Sequence, residues 1–202
     1  MIAVERLITV DEFERIAALP ENRGRKLELI HGEIQEKAMP TKQHGLVQIN
    51  LGSALANFAH PRKLGRVTSD ASYRKSGDSR DFRVPDISFS TVLNALVEKG
   101  SDVDIPDLVV EIKSPDDSLR ELRERIQWFL ENGSKIGLLL IPRKRIMEVY
   151  TPDSDDILDE NDTLTLEAVL PGFSIKVADI FADPLADLIQ STPKIDNQNG
   201  DE

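Results

Sequence analysis

Hydrophobic and polar positions change period several times along this chain, and each change marks an element. After Thr9, "VDEFERIAAL" places Phe13, Ile16 and Ala17 on one helical face with acids in the first turn. Thr9 or Asp11 can cap that helix, and Pro20 ends it. "KLELIHGEIQEKA" at 26–38 alternates on both sides of His31-Gly32, the pattern of a β-hairpin turning at the glycine. Over 41–60 the apolar residues fall at 46, 47, 51, 54, 55 and 58, a helical spacing that Thr41 can cap and Pro61 closes. Two glycines inside it weaken the helical pattern or mark close packing.

"LGRVTSDASYRK" reads as a strand, "SGDSRD" as a polar loop, and "FRVPDISFS" at 82–90 as a second strand with its proline at the start or on an edge. "DLVVEIK" at 107–113 follows as a third. The clearest helix spans 118–133, where Leu119, Leu122, Ile126, Phe129 and Leu130 form the buried stripe. Ser118 caps its start and Asn132-Gly133 supplies a left-handed stop. "KIGLLLIP", "RIMEVYT" and "TLTLEAV" are further strands, and "VADIFADPLADLIQ" is a helical piece interrupted by Pro184. The polar stretch 191–202 is expected to be disordered. The order of elements predicts one α/β (α+β) domain over 1–190, with helices packed on a central mixed β-sheet.

Composition narrows the class. The chain has 202 residues, 40% hydrophobic and 30% charged, enough for one soluble domain with a real core. The absence of cysteine excludes disulfides and thiolate zinc sites. No apolar run approaches bilayer length and the N-terminus lacks a secretory pattern, so a cytoplasmic protein with no membrane partner is expected. The net charge of −11 opposes nucleic-acid binding, but it is uneven. Residues 60–83 hold seven bases against three acids, whereas 152–167 hold seven acids and no base. Both stretches read as solvated faces.

Candidate chemistry gathers at two strands. Alternation puts Asp107, Val109, Glu111 and Lys113 on one face of 107–113, and Leu108, Val110 and Ile112 on the other. An acid and a base at the end of a core strand can be a plain ion pair at a sheet edge. A second acid, Asp86, enters the strand at 82–90, and neighbouring strands would bring Asp86, Glu111 and Lys113 to one place. Two carboxylates can hold Mg²⁺ or Mn²⁺, and an ammonium can orient water or neutralise developing charge at a phosphodiester. Glycine-rich phosphate loops, zincin histidine spacing and a G-x-S-x-G nucleophile are all absent. Arg120, Arg123 and Arg125 read as a solvated helix face paired with Glu121 and Glu124, and Trp128 as a core anchor.

"PD" followed by "EIK" resembles the PD-(D/E)-x-K nuclease superfamily, and the surrounding residues resemble its Uma-type restriction endonucleases, a family expanded in cyanobacteria. "LELIHGEI" is similar to the family's opening hairpin, His44 to a histidine starting its next helix, "RVPDISF" to its PD strand, "VVEIKSPDDS" to its E-x-K strand and "LPGFSIKVADIF" to its closing segment. The resemblance covers roughly residues 5–185 by motif order. It implies a restriction-endonuclease-like core, metal-dependent DNA cleavage and a homodimer. Carried over by position, Asp86 and Glu111 are metal ligands and Lys113 is the catalytic base or water-orienting group. The helix at 41–60 lacks the acid many relatives place there, so Glu28, Glu33 or His44 could stand near the site in its stead. For His44, a capping or packing role is the alternative. "IGLLLIP" also departs from the family, lacking its aromatics and acid. A noncatalytic binding or regulatory homodimer that keeps the fold is the competing reading, supported by the net charge.

Overall fold

A computed structural model describes residues 7–77, 80–91, 95–96, 98 and 100–186. The expected tail at 191–202 and the end of the helical piece beyond 186 lie outside the described residues. Thr9 opens α1 (Val10–Ala17) with a capping box, its hydroxyl accepting from the Glu12 N–H and Glu12 reaching back. β1 (Leu27–Ile30) and β2 (Glu33–Glu36) form an antiparallel hairpin in which Ile30 faces Glu33. The two turn residues, His31 (φ 51°) and Gly32 (φ 86°), both take the left-handed conformation that such tight hairpins require. α2 (Lys42–Ala59) is capped by Thr41, whose side chain accepts from the His44 N–H.

β3 (Arg66–Ser69), β4 (Ile87–Ser90), β5 (Leu108–Ile112), β6 (Ile136–Ile141), β7 (Ile146–Tyr150) and β8 (Asp155–Leu158) form one mixed sheet in that spatial order. Only β5 and β6 run parallel, joined across a face of the sheet by α3 (Leu119–Glu131). β9 (Thr163–Thr165) and β10 (Ser174–Lys176) make a second small hairpin, followed by α4 (Val177–Ile180).

β5 is buried along its whole length because both faces are covered. Leu108, Val110 and Ile112 join the main core with Val47, Leu51 and Leu55 of α2. On the opposite face Val109 meets Trp128 and Phe129 of α3, while Leu122 and Ile126 pack on Leu139 and Ile141. Gly137 permits this approach, since a Cβ there would lie 2.2 Å from Ile126 Cγ2. Trp128 is the core anchor its spacing suggested. Ser118 holds the N-cap position of α3 without a side-chain cap bond. β8 was concealed in the acidic run: it is the sheet's outer strand, with Asp155, Asp156 and Ile157 exposed. No helix among the described residues is long and apolar enough to cross a membrane.

Candidate active site

Strand register builds the site. β4 and β5 pair antiparallel with Ile87 opposite Val110 and Ser88 opposite Val109, so one step further sets Asp86 beside Glu111. The Asp86 N–H still donates to Val110 O at 3.1 Å, and Ile112 N–H donates to Asp86 Oδ2 at 2.7 Å. Both carboxylates are buried, Asp86 at 3% exposure and Glu111 at 1%. The paired β4 and β5, with Asp86 held by backbone bonds at the entry to β4, therefore fix their separation.

A cation lies between them that the sequence did not disclose. Lys37, one residue past β2, donates through Nζ to Asp86 Oδ1 at 3.3 Å, Glu111 Oε2 at 3.2 Å and Val84 O at 2.9 Å. Its side chain is only 11% exposed. His44, in the first turn of α2, places Nε2 3.1 Å from Asp86 Oδ2, and Gln48 one turn later donates to the Asp86 carbonyl. Behind this group, buried Glu28 accepts from Val84 N–H through Oε1 at 2.7 Å. Its Oε2 stands 2.6 Å from a terminal nitrogen of Arg125, an ion pair whose angle departs from that of a hydrogen bond.

Glu28, one of the residues expected near the site, is interior, because the β1–β2 hairpin folds over the segment that leads into β4. One expectation is revised. Arg125, read as part of a solvated helix face, is buried against Glu28, whereas Arg120 does pair with Glu124 in solvent. Arg123 turns to Glu148 of β7 with two hydrogen bonds. Glu33 is exposed on β2. Lys113 follows Glu111 along the strand, but its ammonium donates to Ser114 O at 2.9 Å and Pro115 O at 3.2 Å. β5 ends at Ile112, and those carbonyls lie where the chain turns away. Asp86 and Glu111 are thus brought together, with Lys37 and His44 in contact and Lys113 bonded elsewhere. Lys37 was hidden because a lysine after an alternating strand looks like any solvated one.

The electrostatics follow from burial. Desolvation acts to raise the Asp86 carboxyl, but the His44 hydrogen bond and the Lys37 charge outweigh it and hold the pKa at about 2. Desolvation pushes Glu111 up to about 7; Lys37 and Arg125 oppose the shift, and the Asp86 and Glu28 charges add to it. The same carboxylates raise Lys37 above the ordinary lysine value despite its burial. Lys37 bridges Asp86 and Glu111, and Arg125 pairs with Glu28, so Glu111 shares its cation with Asp86. Among the described residues its buried Oε1 has no hydrogen-bond partner, and neither has His44 Nδ1.

Against this geometry, the model of the family described as "Uma2: Putative restriction endonuclease" matches residues 10–178. The chain belongs to the Uma2 family. A solved structure similar to it is that of "a putative nuclease belonging to DUF820" from Anabaena variabilis, with a TM-score of 0.73 and 27% identity. The likeness covers 86% of this chain and 97% of that one. No curated protein matches the chain. The six-stranded mixed sheet with helices on both faces is thus the nuclease-like architecture of an Uma2 protein.

A divalent ion can be tested against this Uma2 site. Among the described residues no three His, Cys, Asp or Glu side chains form a ready metal-holding group. Mg²⁺, however, is commonly held by one or two carboxylates, with water and phosphate completing the shell. Asp86 and Glu111 supply that minimum, and the unpartnered Glu111 Oε1 is a donor in want of a cation. The donor set fits a hard divalent ion, provided Lys37 yields its place.

Proposed function

We propose that this chain is a DNA endonuclease dependent on Mg²⁺ or Mn²⁺, hydrolysing phosphodiester bonds at the Asp86–Glu111 pair. The observation that carries the reading is the pair itself: two buried carboxylates, one directly before β4 and one on the adjacent β5, already gripping a cation through facing oxygens. Asp86 and Glu111 would hold the metal. When bound, it would polarise a phosphate oxygen and lower the pKa of a coordinated water. His44 and the Ile112 N–H orient the Asp86 carboxylate and keep it ionised. Arg125 and Glu28 brace the opposite side, where the Glu28–Val84 bond ties the hairpin to the segment that leads into β4.

Lys113 keeps the water-orienting assignment that its motif position implies. To serve it, the ammonium must exchange the Ser114 and Pro115 carbonyls for the reacting water. DNA is the proposed substrate, and a homodimer would offer one such site to each strand of a duplex.

The test is nicking of supercoiled plasmid by purified protein with Mg²⁺ or Mn²⁺. Cleavage by the parent, lost in Asp86→Ala and in Glu111→Ala, supports the reading; cleavage that persists in both rejects it. The net charge of −11 favours one other reading, a noncatalytic homodimer that keeps the fold. That reading expects no Mn²⁺ binding by calorimetry.

A further inference from the structure

The three oxygens around Lys37 Nζ form a donor set suited to a hard divalent cation: one from Asp86, one from Glu111 and the Val84 carbonyl. They surround the protein's own cation and leave almost no other space. The cavity bordered by Lys37, His44, Asp86 and Glu111 holds about 10 Å³, scarcely room for one water. Ammonium and metal cannot share that cage. Both are positive, and magnesium draws its oxygens to about 2.1 Å, well inside the present ammonium distances.

We propose that Lys37 is a placeholder cation, filling the Asp86–Glu111–Val84 cage in the metal-free protein and leaving it when a divalent ion enters. The inference rests on the reading of Asp86 and Glu111 as metal ligands, and deepens it by naming what the metal must displace.

The surroundings give the ammonium a route out. Lys37 N–H is fixed to Lys26 O at 2.8 Å, so the backbone stays in the hairpin ladder and the side chain swings. Its four-carbon stem is flexible enough to do so. Lys37 also lines a separate open pocket of about 440 Å³, shared with Glu36, Asp116, Asp117 and Glu121. Those acids can receive the displaced charge. Asp117 lines both spaces, as does Lys37 itself.

A cage held shut this way lowers the apparent metal affinity by the fraction of time it stands open. With the open state at roughly 10% or less, removing the ammonium tightens binding about tenfold or more.

The experiment pairs Mn²⁺ calorimetry on the parent, Lys37→Met and Lys37→Gln with mass-spectrometric amine labelling of Lys37 in the parent. Lys37→Gln keeps a donor for the Val84 carbonyl, and circular dichroism is the check that each variant is folded. Both variants are expected to bind Mn²⁺ about tenfold or more tightly than the parent. Lys37 should resist labelling in metal-free protein and become labelled at Mn²⁺ saturation. Unchanged or weaker Mn²⁺ binding by a folded variant overturns the proposal, as does a Lys37 that stays protected at saturation, or no Mn²⁺ binding by any of the three. Plasmid cleavage by the parent separates the two ideas. Cleavage with unchanged variant affinity removes the placeholder and leaves the nuclease standing, whereas tighter variants without cleavage do the reverse.

Discussion

Glu111 is the residue on which burial and the proposed metal would exert opposite pulls. Burial raises its pKa to about 7, from an ordinary value of 4.5. A carboxyl that protonates more readily folded than unfolded stabilises fully below its unfolded pKa and loses that contribution as pH climbs through the folded one. The metal-free protein should therefore melt at lower temperature at pH 8 than at pH 5.5. Asp86, held near 2, has its stabilising contribution in place above about 3.8 and loses it only in strong acid, so it does not cancel the trend. Thermal scans across that range check this, and Glu111→Gln should flatten the slope; an equal fall in the variant would assign it to other groups. Since the metal must meet an ionised carboxylate, Mn²⁺ affinity should also rise through about pH 7, with proton release below it. At this scale the sequence was a partial guide. Asp86 and Glu111 were legible because acids on apolar strands conflict with their surroundings. Lys37 and Arg125 were not, because their partners come from elements 49 and 97 residues away and nothing local signals burial.

Elements hold the site by tying the β1–β2 hairpin to the sheet. Arg125 reaches from α3 to Glu28 of β1, while Glu28 accepts from the Val84 N–H just before β4. Removing one partner of a buried pair strands the other charge, so Arg125→Met should cost about 3–5 kcal/mol in urea unfolding. The double variant Arg125→Met with Glu28→Gln should recover much of that loss; a single variant as stable as the parent would show that the pair does not brace the hairpin. α3 and β5 were readable from period alone, one carrying a helical stripe and the other an unbroken apolar run. β8 was not, for an outer strand exposed at three of its four residues has no apolar period to reveal it. The β9–β10 pairing likewise depends on three-residue strands that meet across a loop, with Leu164 alone deeply buried among them.

For the molecule as a whole, membership of the Uma2 family and the nuclease-like sheet accord with a site built where β4 begins and β5 ends. At least two of the seven bases at 60–83 are engaged by acids. Arg83 is buried against Asp81, and Arg74 pairs with Asp11. With a net charge of −11, productive contact with DNA should depend on the metal. A homodimer is expected at twice the monomer mass in sedimentation equilibrium, and a monomer at all concentrations would contradict it. Crystals loaded with Mn²⁺ and measured at the manganese absorption edge would show whether the ion replaces the Lys37 ammonium between Asp86 and Glu111. An anomalous peak bound by both Asp86 and Glu111, with Lys37 Nζ displaced, is the expected result. Manganese bound elsewhere, or an undisturbed Lys37 between the two carboxylates at saturating metal, would contradict it.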